Sequence, residues 1–235
     1  MPARAARAPA RRVHVVAAVL IDRRGRVLIA QRPPGKALAG AWEFPGGKVE
    51  PGESRAGALA RELEEEIGLR IRDPRPLLRL THRYPHSSVL LDVFIVRRFG
   101  GRLERRDAQA LRWVSRAELA AAPLLPADRP ILKLLALPAR LTRSAAGAWR
   151  VLHPPALRSA RARRGLLGAP LLGALCRTPG EARTLRQADF LVLRDPCPDD
   201  ELEALCRATP RPVYAAALSL ERAWALGASG VQAIV

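Results

Sequence analysis

Lysine is nearly absent from this chain of 235 residues. Lys36, Lys48 and Lys133 are the only lysines, although lysine and arginine together number 40 and the formal net charge is +18. A charge of this size is typical of proteins that bind nucleic acid. Here, however, arginine is abundant together with alanine, leucine, proline and glycine, which indicates the codon bias of a GC-rich genome. Composition therefore predicts no stable nucleic-acid complex, because nothing in it singles out a shaped basic patch.

Cysteine and long apolar runs are also scarce. Cys176, Cys197 and Cys206 are odd in number and lack zinc-type spacing, which predicts free thiols in a reducing cytoplasm. No segment is long and apolar enough to cross a bilayer, so no membrane partner is expected. The start of the chain imitates a signal peptide, but its apolar run is short and contains His14, which favours a strand entering a core. Residues 1–10 are expected to form a disordered arm.

Strand and helix patterns are mixed irregularly as far as about residue 138. Val13–Ile21 and Val27–Gln31 are predicted strands joined by a turn, which suggests a hairpin. Pro130–Leu137 is predicted to be a helix. Because no regular βαβ alternation occurs, the pattern predicts an α+β fold for residues 11–138.

A second pattern follows residues 139–164, a basic, proline-containing stretch that is predicted to be a linker. In residues 165–235, short apolar strands such as Phe190–Leu193 alternate with helices such as Glu201–Ala208. This alternation predicts parallel βα units.

A predicted helix lies within the segment GKVEPGESRAGALARELEEEIGL, Gly47–Leu69. Ser54 has the character of an N-cap, and Gly68 has that of a left-handed helix terminator. Leu59, Leu63 and Ile67 recur every four residues, which predicts one buried stripe.

Three carboxylates share another face of this helix, because Glu62, Glu65 and Glu66 fall at positions i, i+3 and i+4. Their like charges repel, and the helix dipole disfavours anions near the C-terminal end. A bound cation would remove both penalties, and carboxylate oxygens without a nearby His or Cys suit a hard ion such as Mg²⁺ or Mn²⁺. The alternative is a solvated acidic helix face.

The same segment resembles the Nudix box at every fixed position. A glycine, five residues, a glutamate and seven residues precede the Arg-Glu-aliphatic-x-Glu-Glu-x-Gly-aliphatic sequence that begins at Arg61. With the flanking sequence AWEFPGGKVEPGE, the chain is similar to the MutT-like branch over about Val13–Leu137. The resemblance implies an α/β/α sandwich. It also implies hydrolysis of oxidised purine nucleoside triphosphates, notably 8-oxo-dGTP, to the monophosphate and pyrophosphate.

The resemblance further implies a set of oxygen ligands for Mg²⁺ or Mn²⁺. These are the backbone carbonyl of Gly46 and the carboxylates of Glu62, Glu65, Glu66 and Asp107. Asp107 stands where the family has a glutamate, and a plain loop carboxylate is its alternative role. Arg61 is expected to orient the glutamates. The base that accepts the proton of the attacking water stays open among Glu65, Glu62 and Glu53.

A nucleoside triphosphate is the implied partner, and its pocket falls on both sides of the box. The predicted pocket residues are Arg32, Glu43, Phe44, Pro45, Gly46, Lys48 and Asp128. Phe44 could equally belong to the core, and Lys48 could equally be a solvated side chain. Asp128 stands where the family has an asparagine that reads guanine. An ionised aspartate accepts hydrogen bonds without donating any, whereas a protonated one can donate.

The segment from about Leu175 to Val235 resembles the later strands of a thiamine-phosphate-synthase-like barrel. A complete (β/α)₈ barrel needs about 200 residues or more. Ala216 and Ala217 stand where that family has glycines that cradle a phosphate. These departures predict a truncated, incomplete barrel without synthase activity, whose open sheet edges a homodimer would cover. Two alternatives stay open: a Nudix-fold nucleotide sensor or regulator, and a bifunctional enzyme with a working synthase half.

Overall fold

The long apolar run near the start of the chain forms a central strand. In the computed structural model, which describes residues 11–85, 87–106, 110–141, 149–152, 171–216 and 218–232, β1 spans Arg11–Leu20. It pairs in parallel with β7 (Ser87–Val96) and antiparallel with β4 (Gly46–Lys48). The predicted hairpin between β1 and β2 (Val27–Gln31) is wrong, because only the isolated bridge Ile21–Val27 joins them. Consecutive residues of β1 are buried, and because successive side chains point to opposite faces, both faces of the sheet are covered: Ala17 and Val19 join one hydrophobic cluster, and Val16, Ala18 and Leu20 join another.

In the described part of the first half, nine strands form three sheets, of which the four-stranded sheet has mixed pairing and the other two are antiparallel. The four-stranded sheet has the order β4-β1-β7-β6, in which β6 is Arg75–Arg83. The other two sheets have the orders β3-β2-β9 and β5-β8. Their remaining members are β3 (Trp42–Glu43), β5 (Leu69–Arg72), β8 (Arg98–Gly101) and β9 (Ala110–Val114). The mixed helix and strand content of the first half is confirmed.

The helices of the first half follow their local signals closely. Helix α1 (Arg55–Ile67) buries Leu59, Leu63 and Ile67, as the four-residue spacing predicts. Burying each of these side chains contributes about 1.5–3 kcal/mol relative to exposure. Helix α2 covers Arg116–Ala121, and the helix predicted at Pro130–Leu137 is a 3₁₀ helix that covers Arg129–Ala136. Its bonds span three residues, as from Ile131 N–H to the Asp128 carbonyl, and Pro130 has no N–H to extend an α-helical ladder.

The second half forms one six-stranded sheet in which every pairing is parallel, which confirms the predicted pairing. The strand order is β10-β15-β14-β13-β12-β11. The strands are β10 (Arg140–Leu141), β11 (Trp149–Leu152), β12 (Leu171–Cys176), β13 (Phe190–Leu193), β14 (Val213–Ala215) and β15 (Gly230–Gln232). The helices are α3 (Pro179–Thr184), α4 (Asp199–Ala208) and α5 (Leu220–Ala225).

Strands β10 and β11 correct the expectation of an irregular linker at residues 139–164. They have only two and four residues, which is too short to produce a readable alternation in the sequence. The sheet that they join packs against the first half, and one hydrophobic cluster includes Leu77 and Ile131 from the first half with Phe190 and Tyr214 from the second.

A buried arginine joins the two halves by hydrogen bonds. The Arg75 guanidinium donates to the carbonyls of Leu137 (3.1 Å), Pro138 (3.3 Å) and Ser229 (2.9 Å). The Ser229 hydroxyl donates to the Leu77 carbonyl at 2.7 Å, and the Tyr214 hydroxyl donates to that of Pro138 at 2.6 Å. Among the described residues, no helix is long and apolar enough to cross a bilayer.

Candidate active site

Helix α1 is fixed at both ends by backbone and side-chain bonds. Ser54 accepts a bond from the Gly57 N–H, and Gly68 adopts the left-handed conformation with φ 71°, as predicted. Arg55, the first helical residue, donates to the buried Asp92 of β7 at 3.1 Å. No basic residue lies in the last turn, but Arg106 donates to the Glu64 carbonyl at 2.9 Å from outside the helix. These contacts hold the outward face of α1 in a fixed orientation.

Arg61 binds three carboxylates on that outward face. Its Nε and Nη2 each donate to one oxygen of Glu53, both at 3.0 Å. Its Nη1 donates to Glu62 at 3.0 Å and to Glu65 at 3.1 Å, so these two carboxylates converge on a single nitrogen. The bond from Nη2 to the Lys48 carbonyl, also 3.0 Å, ties the group to β4. Arg61, Glu53, Glu62 and Glu65 are called the Arg61 cluster below.

Ion pairing shifts the pKa of two members of the Arg61 cluster, Glu53 and Arg61. Hydrogen bonds from Arg61 hold the pKa of the Glu53 carboxyl below its usual value. The bonds to Glu53, followed by those to Glu62 and Glu65, raise the pKa of Arg61 above its usual value. All three carboxylates therefore meet a permanent cation, and Arg61 screens the repulsion that the sequence predicted for this helix face.

Two glycines of β4 bring the backbone against these carboxylates. Gly46 has φ 153°, and a Cβ placed there would lie 2.1 Å from the Val16 carbonyl oxygen. A Cβ at Gly47 would lie 2.1 Å from the carboxylate carbon of Glu62. Any side chain at either position would displace β1 or Glu62, so the close approach depends on glycine.

The donor chemistry of this region fits a hard divalent cation. Glu62 has 14% of its side chain exposed and Glu65 has 60%, so solvent reaches one carboxylate while the other is held against β4. The candidate donors are all oxygens, which is the preference of Mg²⁺ and Mn²⁺. Within the described ranges, no three His, Cys, Asp or Glu side chains are gathered closely enough to hold a metal as they stand. The Arg61 guanidinium lies between three of the carboxylates, and Asp107 lies outside the described residues.

A small cavity of about 20 Å³ brings several predicted pocket residues together beside the cluster. Glu43, Pro45, Gly46 and Glu66 line it. Sequence reasoning missed the remaining lining residues, which come from β2 and the loop after it: Ala30, Gln31, Pro33 and Lys36. Lys48 is exposed, and it is its backbone carbonyl that contacts Arg61.

The predicted base pocket centres on a buried aspartate. Asp128 is 4% exposed, and its carboxylate accepts a bond from the Phe44 N–H at 3.2 Å. Burial raises the pKa of Asp128 to about 7, with a further contribution from the charge of Glu43. Arg32 forms an ion pair with Glu43, and burial still raises the pKa of Glu43. Phe44 is a buried side chain of the main core, so its role as a pocket wall stays a prediction.

Tyr84 and Arg106 are two residues near the site that sequence reasoning missed. Burial raises the pKa of Tyr84, and the Asp128 and Glu43 charges act in the same direction, which places its hydroxyl near the pocket. Tyr84 lies in the sequence HRYPH, directly after the end of β6, and no local pattern connects it with the base pocket. Arg106 lies about 40 residues after α1, and no local pattern connects it with the helix.

Comparisons with known proteins identify a matching family and several relatives of this chain. The NUDIX domain model matches residues 16–134. A CTP pyrophosphohydrolase of Escherichia coli is 42% identical over 121 residues, which are 52% of this chain and 89% of that protein. An 8-oxo-dGTP diphosphatase of Proteus vulgaris is 41% identical over 86 residues, 37% of this chain and 77% of that protein. The crystal structure of a MutT Nudix hydrolase from Burkholderia pseudomallei matches with TM-score 0.50 and 27% identity, covering 54% of this chain and 99% of that one.

Proposed function

The chain belongs to the Nudix domain family, and we propose that it hydrolyses nucleoside triphosphates to the monophosphate and pyrophosphate, with oxidised purine nucleotides such as 8-oxo-dGTP as substrates. It is a hydrolase of nucleotide phosphoanhydride bonds, in common with its relatives. The observation that best supports this proposal is the Arg61 cluster, because it gathers three carboxylates beside a glycine-lined backbone.

Nudix hydrolases generally need a divalent metal, and Mg²⁺ is our proposal for this chain, with Mn²⁺ as a substitute. Glu62, Glu65, Glu66 and the Gly46 carbonyl would hold it, with Asp107 as a further ligand. When bound, such an ion neutralises the triphosphate and stabilises the leaving oxygen. The fit rests on the chemistry of the donor set, which is entirely oxygen; Glu62, Glu65 and Glu66 lie on the C-terminal half of α1, and Gly46 lies on β4.

The protein's own groups divide the remaining work. Arg61 orients the carboxylates, and Glu53 is the least suited of them to accept a proton because its two oxygens are bound to the guanidinium. Glu62 or Glu65 therefore takes the proton of the water that attacks the β-phosphorus. Glu65, with 60% of its side chain exposed, is open to that water and is the first residue to test.

Glu65→Gln tests the proposed function directly. It keeps the shape of the side chain and removes its charge and basicity, so we expect kcat to fall by roughly 10²- to 10⁴-fold. Pyrophosphate release from 8-oxo-dGTP with Mg²⁺ is the measurement. Glu64→Gln is the matched control, because Glu64 is an exposed neighbour on the same helix outside the cluster. Absence of hydrolysis of any nucleoside triphosphate by the unmodified protein, or equal losses in both variants, would contradict the proposal.

A pyrimidine substrate such as CTP is a second candidate, and Asp128 is the observation that favours it. An ionised aspartate accepts a bond from the amino group of cytosine, whereas a protonated aspartate can donate to a purine oxo group. Because the pKa of Asp128 is raised to about 7, the donating form predominates below that pH and the accepting form above it. The 42% identical relative from Escherichia coli, a CTP pyrophosphohydrolase by name, points the same way.

Base preference should therefore depend on pH. We expect the ratio of kcat/KM for 8-oxo-dGTP to that for CTP to fall about tenfold as the pH rises through 7, since one hydrogen bond of about 1.4 kcal/mol is exchanged. Asp128→Asn does not titrate, so its ratio should stay flat over the same range. The ratio cancels the titration of the carboxylates and of the triphosphate, which both substrates share. A pH-dependent ratio that survives in Asp128→Asn would assign the effect to another group.

For the second half we propose a truncated barrel without synthase activity. The spatial order of its strands supports this, because the first strand, β10, lies beside the last, β15, as in a closing barrel. Buried Ala216 follows β14 where a phosphate-cradling glycine is expected, and Ala217 lies outside the described residues. Residues 11–138 then form the catalytic domain, and a homodimer would cover the open edges. Synthesis of thiamine phosphate by the full chain would overturn this proposal.

The other expectations follow from the same assignment. The three cysteines form no disulfide with one another, and burial raises the pKa of Cys176 and of Cys206 to about 12, which agrees with unreactive thiols in a cytoplasmic protein. A sensor or regulator role is disfavoured by the intact box, since a binding module has no need of all its carboxylates. Nucleotide binding without turnover would revive that role.

A further inference from the structure

An arginine-rich cleft lies on the first half, outside the candidate active site. It has a volume of about 920 Å³, and three segments line it: Asp22–Arg24 from the turn after β1, Arg70–Arg72 from β5 and Arg97–Gly100 at β8. Six of the ten lining residues are arginines, and Asp22 is the one acid among them. These ten residues are called the arginine cleft.

Strand register explains why the charges share one surface. In the antiparallel β5–β8 pair, Ile71 lies opposite Phe99 and Arg72 lies opposite Arg98. Ile71 and Phe99 pack against the hydrophobic core around α1, so the alternating residues Arg70, Arg72 and Arg98 project from the other face. Arg72 and Arg98 lie directly opposite each other, so their like charges repel and destabilise the strand pair. A bound anion would remove this repulsion.

Most of these arginines are not neutralised by acids. Arg98 pairs with Asp73 at 2.6 Å, and Asp22 pairs with Arg26 beside the cleft at 2.8 Å. Arg23, Arg24, Arg70, Arg72 and Arg97 are all exposed, and none forms an ion pair with an acid in the described part of the chain. Five uncompensated cations in one concave surface favour a ligand with several negative charges.

The chemistry of the cleft narrows that ligand to a phosphodiester backbone. Arginine binds phosphate oxygens in a bidentate manner, which suits a repeated phosphate. Phe99, the only aromatic residue of the cleft, is half-buried and stacked on Trp113, so it offers no free ring to an unpaired base. Leu38 is the one exposed large apolar side chain among the described residues and lies away from the cleft, which disfavours insertion into a lipid surface.

We propose that the arginine cleft binds the backbone of a nucleic-acid duplex without reading its sequence. Composition alone predicts no such partner, because it contains no information on where the arginines lie in space. The β5–β8 register places several of them on one surface. None of the cleft residues belongs to the Arg61 cluster or to the predicted pocket, so a duplex and a nucleotide can bind at the same time. Binding in the cleft holds the hydrolase at nucleic acid without altering the hydrolytic step.

The test measures the full chain against a short fluorescein-labelled DNA duplex of arbitrary sequence. We expect affinity to fall roughly 10²- to 10³-fold between about 50 and about 200 mM salt, as four or five phosphate contacts predict. The double variant Arg70→Gln/Arg72→Gln should bind weakly, with the slope of log affinity against log salt reduced by about two. Its hydrolysis of nucleoside triphosphate should match that of the unmodified protein, which shows that the fold and the active site are intact.

Arg183→Gln/Arg186→Gln is the matched control, because it removes the same charge from exposed arginines of the second half. It should retain duplex binding. Equal losses in the two double variants would overturn the proposal by reducing it to an effect of net charge. Salt-insensitive binding, no binding at all, binding to anionic lipid vesicles but not to the duplex, or displacement of the duplex by an equimolar amount of inorganic triphosphate would each overturn it as well.

Discussion

Two arginines of the first half, Arg61 at the candidate active site and Arg75 at the junction with the second half, each bind several oxygen groups, but their surroundings are opposite. Arg61 lies on the outer face of α1, partly open to solvent, and binds the carboxylates of Glu53, Glu62 and Glu65. Arg75 is buried at the junction of the halves, where it donates to three backbone carbonyls and also interacts with the Tyr214 hydroxyl. Ion pairing raises the pKa of Arg61, whereas burial lowers the pKa of Arg75.

This contrast indicates that two chemically identical side chains have different roles in the protein. Solvent-exposed ion pairs add little to stability, so the dense arrangement around Arg61 agrees with the proposed role of orienting carboxylate oxygens for catalysis. Backbone carbonyls have no catalytic use at the junction, but leaving them buried without a partner would cost free energy. Arg75 therefore helps to make the second half part of one folded unit, although the proposed catalytic residues all come from the first half.

Replacing Arg61 should separate activity from stability most clearly. In Arg61→Ala the three carboxylates lose their shared donor and move apart, so we expect kcat to fall roughly 10²-fold. The free energy of unfolding should change by less than about 1 kcal/mol, because the lost ion pairs are partly exposed. Steady-state kinetics with Mg²⁺ and urea denaturation of the same preparation measure the two quantities. Two results would contradict the distinction between the arginines: a normal kcat in Arg61→Ala, or a loss of unfolding free energy as large as the increase in activation free energy.

Replacing Arg75 should give the reverse pattern. Arg75→Met keeps much of the side-chain volume but leaves the Leu137 and Ser229 carbonyls without their donor, which should cost about 2 kcal/mol of unfolding free energy. The kcat of the folded protein should be unchanged, since no contact of Arg75 reaches the Arg61 cluster. Arg183→Met, at an exposed position of the second half, is the control and should not alter the denaturation midpoint. A fully stable but catalytically impaired Arg75→Met would mean that the junction acts on the active site.

Local signals predicted the helix that carries the site and most of its polar residues. The capping residues Ser54 and Gly68 and the buried stripe of α1 depend on neighbours within a few turns, so the sequence contains all the information needed. The roles assigned to Glu62, Glu65 and Glu66 stay predictions. What failed was long-range: β1 was expected to pair with β2, but it pairs with β7, about 75 residues away. The Arg75 bonds and the arginine cleft escaped prediction for the same reason, because they join segments that no local pattern connects.

Tyr214 is expected to contribute less to the junction than Arg75 does. Tyr214 donates its hydroxyl to the Pro138 carbonyl, which also accepts a longer bond from Arg75, and its ring meets Phe190 edge-on at 5.7 Å. Tyr214→Phe keeps the ring contact and removes one hydrogen bond from an acceptor that retains a second donor, so we expect a loss of about 1 kcal/mol. Urea denaturation should show this loss without any change in KM or kcat. A loss as large as that of Arg75→Met would mean that the tyrosine, and not the arginine, is the principal donor that joins the halves; no loss would mean that Arg75 alone satisfies the Pro138 carbonyl.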